Sequence, residues 1–424
     1  MHNGEKNGAE RRKPPVIRPA DAGEMDAFRH VAVRSLMVAP EAVEAIRPEW
    51  TLCAFENGRL ATSYAWWPLK MRFNGGTLPA AGVTFVGTDP VCRRKGYLRA
   101  VTARHFQRMH EEGVQPVAAL HASRSSIYQR YGYAVVSWQN SYCFEPRHLA
   151  FREKPDASRG RLYEPEEDSA MEVLKEVYKQ FCADRTGYIH RGKATWKMGA
   201  MAPAPKNGHL FTIVYEEDDT PLGYVIYTAR PGKSPEKRLT HLIEIRDFAW
   251  LTPRACRSLW EHTAGMDLAG EIRWMRVPPD DPLPYLVREP ADLNIRTRDG
   301  VMARIVDVAG TLGRRRYSGE GRIRFAVDDE LCPWNRGCWE METVMDPDAE
   351  NPAGTLFCRG EARPANRAPD VTLSADTLAM LVFGQIDATR AADMGRIKVH
   401  KPDRLAEWDR LLRTRHRPFC PDFF

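Results

Sequence analysis

No apolar run in this chain is long enough to cross a bilayer, and residues 2–15 lack the apolar segment of a secretory signal. A membrane-spanning protein is excluded on this reading, no membrane partner is expected, and the cytoplasm is the expected compartment. The nine cysteines (Cys53, Cys92, Cys143, Cys182, Cys256, Cys332, Cys338, Cys358 and Cys420) are scattered and form no C-x-x-C pair. That argues against a zinc site or a dithiol redox motif and for reduced thiols; no metal is expected. Long blocks of one charge sign are missing too. Lys and Arg are interleaved with Asp and Glu, and a formal charge of +6 is spread over 424 residues, so no nucleic-acid partner is expected. The basic tract Arg11-Arg12-Lys13, followed by Pro14-Pro15, reads as a solvated arm over residues 1–16.

What the chain does have is a globular balance of 43% apolar and 28% charged residues, enough to build cores. Its length exceeds what one core supports, which predicts two or three domains. Thr51–Phe55 and Arg59–Trp67 are strand-like and flank Glu56-Asn57-Gly58, and Asn-Gly predicts a hairpin. A β-rich run over Leu78–Thr88 leads through Asp89-Pro90 to a helix over Tyr97–Glu112, with Leu98, Val101, Phe106 and Met109 on one broad face. The apolar run Val117–Leu120, a tyrosine-rich turn segment and a β-rich stretch over Tyr133–Phe144 complete a mixed α/β layer domain, placed at residues 17–150.

A weaker echo follows at residues 151–290. Phe211–Tyr215 and Leu222–Thr228 form a second predicted hairpin around an acidic turn, followed by a strand over Leu242–Trp250 and a helix over Pro253–Ala264. Its strand-to-helix junction, Trp250 to Arg257, has no glycine among its basic residues, so this copy is expected to have lost its ligand. The Pro-rich stretch Val277–Pro290 marks a boundary. Residues 291–424 form a third, α+β domain, with strands around Val301–Val308, Gly321–Val327 and Cys338–Val344 and helices over Ser374–Gly384 and Arg404–Arg413.

The chemistry is concentrated in Val83-Thr84-Phe85-Val86-Gly87-Thr88-Asp89-Pro90-Val91-Cys92-Arg93-Arg94-Lys95-Gly96-Tyr97-Leu98-Arg99. A strand enters a basic, glycine-containing turn that opens a helix. Free backbone N–H groups, the positive end of the helix dipole, and Arg93, Arg94 and Lys95 together suit a pyrophosphate, and Gly96 permits close approach. On R-R-x-G alone, a solvated loop capping a helix is the simpler reading. The flanking elements reverse that choice. The segment is similar to the pyrophosphate loop Q/R-x-x-G-x-G/A of the Gcn5-related N-acetyltransferases (GNAT), with Arg93, Gly96 and Leu98 at its positions; Leu98 departs from the last. Downstream, Ala118-Ala119-Leu120-His121-Ala122-Ser123-Arg124-Ser125-Ser126-Ile127-Tyr128-Gln129-Arg130-Tyr131-Gly132-Tyr133 resembles the A-L-x-A-S-x-x-x-I-Y-x-R-F-G-Y signature of the Eis (enhanced intracellular survival) acetyltransferases. Asp281-Pro282-Leu283-Pro284 and Asp299-Gly300 also look like that family.

The resemblance implies tandem GNAT-fold domains, the second degenerate, followed by a sterol-carrier-protein-like domain. It implies an N-acetyltransferase with acetyl-CoA as co-substrate and a small-molecule or lysine-containing amine as acceptor, assembled as a homo-oligomer, commonly a hexamer. By the same resemblance Tyr128 donates a proton to the departing thiolate, and the carboxylate of Phe424 is the base. A carboxylate can take the proton that an amine of pKa ~10 must lose, and burial beside Phe419 and Phe423 would raise its basicity. The backbone of Val86, Gly87 and Thr88 is expected to pair with pantetheine. Arg93, Arg94, Lys95, Gly96, Tyr97, Leu98 and Arg99, with Ser123 and Arg124, complete the expected cofactor contacts. Read structurally, Tyr128 is a core tyrosine, the tail an aromatic anchor, Ser123 a turn residue and His121 a residue packed on the sheet. Family members that acetylate aminoglycosides present acidic residues around the acceptor, including a Glu before the terminal Phe, where this chain has Phe423 with Asp422 one position earlier, and Val31–Pro40 holds no carboxylate. A polycationic acceptor is therefore in doubt. The competing reading is a non-catalytic protein that senses acyl-CoA or binds an apolar ligand.

Overall fold

The computed structural model describes residues 14–153, 159–233, 239–350 and 356–424. Of the arm expected over residues 1–16, residues 1–13 lie outside them. The chain forms two compact units, one of Met1–Pro68 and Ala81–Glu112, the other of Leu69–Ala80 and Gly113–Phe424.

In the first unit run β1 (Val16–Arg18), α1 (Met25–Leu36), β2 (Cys53–Glu56), the start of β3 (Arg59–Phe73), the end of β4 (Gly76–Thr88) and α2 (Tyr97–Glu112). The strands lie in sequence order, β1 antiparallel to β2 and β2 to β3. Asn57 and Gly58 both take left-handed φ, 50° and 77°, as the two-residue hairpin turn requires. Phe28, Val31 and Ala32 of α1 pack with Cys53, Phe55, Leu60 and Ala65 in one core. α2 buries Tyr97, Val101, His105 and Met109, a spacing of four that keeps them on one face.

The second unit opens with β5 (Val117–His121), α3 (Ser125–Gln129), β6 (Ala134–Val135) and β7 (Trp138–Phe144). There follow β8 (Arg161–Tyr163), α4 (Glu167–Phe181), β9 (Thr186–Ile189), α5 (Lys193–Met198), β10 (His209–Glu217), β11 (Thr220–Lys233), β12 (Leu239–Trp250), α6 (Pro253–Ala264) and β13 (Ala269–Val277). A seven-stranded sheet takes the order β14-β7-β13-β12-β11-β10-β8, with β14 at Arg296–Asp299 after the short α7 (Leu283–Leu286). β12 and β13 are parallel and are joined by α6, the crossover that parallel strands need. Alternation along β11 sends Val225 and Tyr227 to the α6 side with Leu259 and Trp260. Tyr224 and Ile226 go to the α4 side with Leu174 and Val177.

The chain ends through β15 (Val301–Ile305), α8 (Val308–Leu312), β16 (Arg316–Tyr317), β17 (Gly321–Asp328), β18 (Gly337–Glu350), β19 (Leu356–Pro364), β20 (Val371–Ser374), α9 (Ala375–Phe383), α10 (Ala388–Asp393), β21 (Ile397–Val399) and α11 (Leu405–Leu412). Its six-stranded sheet has the order β16-β19-β18-β17-β20-β21. β15 was expected to belong with these strands, but it lies between β5 and β6, antiparallel to both. All five of its residues are buried, Arg304 paired with Asp329 at 2.6 Å, as suits a central strand, and a short run of this kind does not reveal which sheet it joins. One hydrophobic cluster runs from Val117, Ala119, Val301 and Ile305 through Tyr317 and Phe325 to Leu378, Phe383 and Trp408.

Candidate functional site

In the first unit, Val86, Gly87 and Thr88 end β4 just after Phe85, whose φ of 50° breaks the strand's regular course. Ser63 donates its hydroxyl to the carbonyl of Phe85 at 2.9 Å. Gly87 is required by packing, because a Cβ there would lie 2.6 Å from Cβ of Ser35. Asp89 accepts from the Val91 N–H at 3.1 Å and starts the basic turn. Arg94 and Gly96 both take left-handed φ, 63° and 82°, and the Ala100 N–H bonds the Gly96 carbonyl at 3.1 Å. The amides of Tyr97, Leu98 and Arg99 precede that bond and point out of the helix end. A Cβ on Gly96 would meet nothing within 4 Å, so the loop is open beside it. Arg93 and Arg94 are exposed, and Arg93 Nε reaches the Thr88 carbonyl at 3.3 Å. A helix N-terminus, a glycine with open space beside it and two exposed guanidinium groups fit a pyrophosphate.

Lys95 is used differently. Its ammonium pairs with Glu56 at 2.8 Å, and this bond, with one from Tyr97, holds the Glu56 carboxyl down at about 2. Lys95 and the buried Tyr97 therefore tie the turn to the β2–β3 hairpin, which leaves the arginines and the backbone to face a phosphate.

In the second unit, Tyr128 lies on the one-turn helix α3, after the exposed Ser123 and Arg124. Its carbonyl accepts the amides of Tyr131 at 2.9 Å and Tyr133 at 3.4 Å, and its ring meets Tyr133 edge-on at 5.9 Å. Burial pushes the Tyr128 hydroxyl up to about 12, so it is protonated at neutral pH. Gly132 takes φ 78°, and a Cβ there would lie 2.9 Å from the guanidinium of Arg304, so the motif admits only glycine. The weaker family motifs prove structural: Ser125, at the start of α3, donates to Asp299. Asp281 accepts from the Tyr142 hydroxyl at 2.9 Å and the Leu283 amide at 3.0 Å.

Phe424 is half-buried at the end of a tail seated on His121, whose Nε2 lies 2.9 Å from the Asp422 carbonyl oxygen. Phe423 stacks on the same imidazole at 4.6 Å, and Phe424 lies 4.9 Å from it at an angle. Burial lowers His121 to about 4, so the ring is neutral and packs as an aromatic. The expectation that Phe419 and Phe423 together bury the terminus is corrected. Phe419 is buried but Phe423 is 69% exposed, its ring contacts being the His121 imidazole and the Arg276 guanidinium, 5.0 Å from its centre. Asp422 is buried against Arg191 and is not presented to an acceptor. Sequence reading missed Arg191, Asp247 and Arg276 around this tail, since no local pattern sets them apart from other buried or half-buried polar residues.

Residues 16–136 and 187–305 each match an acetyltransferase (GNAT) domain family, and residues 308–421 match a sterol carrier protein domain. The N-acetyltransferase Eis of Mycobacterium tuberculosis is 27% identical, over 78% of this chain and 77% of its own. An uncharacterized N-acetyltransferase of Streptomyces avermitilis is 26% identical over 82% of this chain and 83% of its own. The crystal structure of Eis1 from Mycobacterium abscessus superposes with a TM-score of 0.77 at 25% identity, covering 96% of this chain and 100% of that one. A GCN5-related N-acetyltransferase from Anabaena variabilis, 20% identical, shares the fold with a TM-score of 0.81 over 97% of this chain and all of its own. GNAT acetyltransferases use acetyl-CoA, and Eis-like ones act on amine acceptors. With its two GNAT domains and its sterol carrier protein domain, the chain belongs to the Eis-like family of GNAT N-acetyltransferases and is an acyltransferase.

Proposed function

We propose that the enzyme moves the acetyl group of acetyl-CoA to a primary amine by direct attack, with the Tyr128 hydroxyl as acid and the Phe424 carboxylate as base. The observation that carries this reading is the seating of the tail on His121, the residue that ends the strand leading into the Tyr128 helix. Arg93, Arg94 and the N-terminus of α2 hold the pyrophosphate, while Val86 to Thr88 pair with the pantetheine as an added strand. The carboxylate takes the proton of the acceptor amine, directly or through water, as the nitrogen attacks the thioester carbonyl. When the tetrahedral adduct collapses, the thiolate leaves and takes its proton from Tyr128. A free N–H of Val86–Thr88 stabilises the oxyanion between these events.

The acceptor is a small amine, aminoglycoside-like or lysine-like in reach but with few charges. Asp422 is paired with Arg191, and Phe423 stands where family members that acetylate aminoglycosides have a Glu. The second GNAT domain has no ligand of its own: its strand-to-helix junction lacks a glycine, and Thr252 accepts the Ala255 N–H at 3.1 Å and caps α6. Release of coenzyme A thiol across a panel of amines tests the reading. Tyr128→Phe should lower kcat by ~10²–10⁴-fold with acetyl-CoA affinity nearly unchanged, and wild-type turnover by this variant would remove Tyr128 from the mechanism. The family resemblance also supports a homo-oligomer, a hexamer; light scattering that returns a monomer at micromolar concentration would refute this.

A further inference from the structure

Arg191 is buried in the second GNAT domain, its guanidinium 4.0 Å from the ring centre of Tyr178 and 4.6 Å from that of Trp196. It pairs with Asp247 of β12 and donates from Nε to both carboxylate oxygens of Asp422, at 2.8 and 3.1 Å. Asp247 accepts in turn from the Tyr224 hydroxyl at 2.8 Å. Burying one arginine between two carboxylates is costly, and apolar replacements of the same volume are often as stable or more so. What such a network supplies is direction and register.

The register it sets is that of the tail. Around the same place the Phe419 amide bonds the Thr186 carbonyl at 2.9 Å, and Arg276 donates to the Pro421 carbonyl at 2.8 Å. Gly187 lets the tail lie close: a Cβ there would sit 2.6 Å from the Phe419 carbonyl oxygen. With His121 at the Asp422 carbonyl, these bonds fix residues 419–422 and stop two residues short of Phe424.

We infer that the second GNAT domain is a clamp for the tail, with Arg191 and Asp422 as positioning residues that place the Phe424 carboxylate. This rests on the reading of that carboxylate as the base. A grip made of directional ion pairs suits the task, because a reacting group displaced by about 1 Å can cost on the order of 100-fold in rate.

The test is a double-mutant cycle in the full-length enzyme between Asp422→Asn and one glycine appended after Phe424. Asp422→Asn keeps the side chain's shape and leaves Arg191 balanced by Asp247. The clamp predicts a fall in kcat of about 10–100-fold, an unchanged KM for acetyl-CoA, and a combined variant no slower than the glycine extension alone. Multiplying effects, or a kcat within about three-fold of wild type for Asp422→Asn, would overturn the clamp. If Asp422→Asn melts, Arg276→Gln gives the same test while leaving both ion pairs of Arg191, because it removes the guanidinium that donates to the Pro421 carbonyl at 2.8 Å. Its smaller loss of kcat must also vanish in the extended background, and persistence there counts against the clamp. If the extension alone keeps wild-type kcat, the carboxylate is not the base, and the failure lies in the underlying reading.

Discussion

His105 puts its imidazole into the core of the first unit, with Nδ1 2.9 Å from the Tyr64 hydroxyl and the Trp66 ring centre 4.4 Å away. Its Nε2 is buried without a hydrogen-bond partner among the described residues, and burial lowers its pKa from 6.5 to about 3. The neutral ring belongs to the folded state, so between pH 6.5 and about 3 the unfolded chain binds a proton that the folded one does not. The contribution to stability is therefore complete above pH 6.5 and is lost as the pH falls, at up to about 1.4 kcal/mol per pH unit. His121, lowered to about 4 by burial, acts in the same sense over a narrower window. His105→Gln should flatten the stability of the first unit between pH 4 and 6.5 in urea titrations. An acid slope equal to that of wild type would show that another group drives the loss.

At the scale of elements, the turn between β4 and α2 divides its charges between two tasks. Replacing Arg93 and Arg94 together with Ala should weaken acetyl-CoA binding by about 2–4 kcal/mol, as two charge-assisted contacts disappear. Lys95→Ala should cost less affinity, because Lys95 is committed to Glu56. Unchanged affinity of the double variant in calorimetry would end the assignment of the turn. Both helices that follow a strand-to-turn junction, α2 at Tyr97–Glu112 and α6 at Pro253–Ala264, have the limits their sequences predict. Their signals are local: Gly96 or Pro253 at the start, a periodic apolar face, Gly113 or Gly265 after the end. The same is true of the Asn57-Gly58 turn and of the Tyr128 segment, where Gly132 is fixed by its own φ. What could not be read is long-range. The sheet chosen by β15, and the grip of Arg191 on Asp422 across 231 positions, depend on partners far along the chain that leave no periodicity behind.

At the scale of the whole molecule, the continuous cluster from Val117 and Val301 to Leu378 and Trp408 removes any simple seam between the sheet that holds β5 and β15 and the sterol carrier protein domain. A chain ending after Ile305 would expose the apolar residues that β5 and β15 share with that cluster. It should be insoluble, or should lack the near-ultraviolet dichroism of packed aromatics. A soluble fragment with a cooperative melt would show that the third domain is dispensable for folding. The same cluster bears on how such proteins can diversify. Domains joined by a linker can be exchanged by recombination as cassettes, but a crossover between two diverged relatives near residues 305–308 would unite half-interiors whose side chains were selected against different neighbours. Viable hybrids should inherit β5, β15 and the sterol carrier segment from one parent, so that the lineage carries its third domain as a fixed companion of the sheet it packs on.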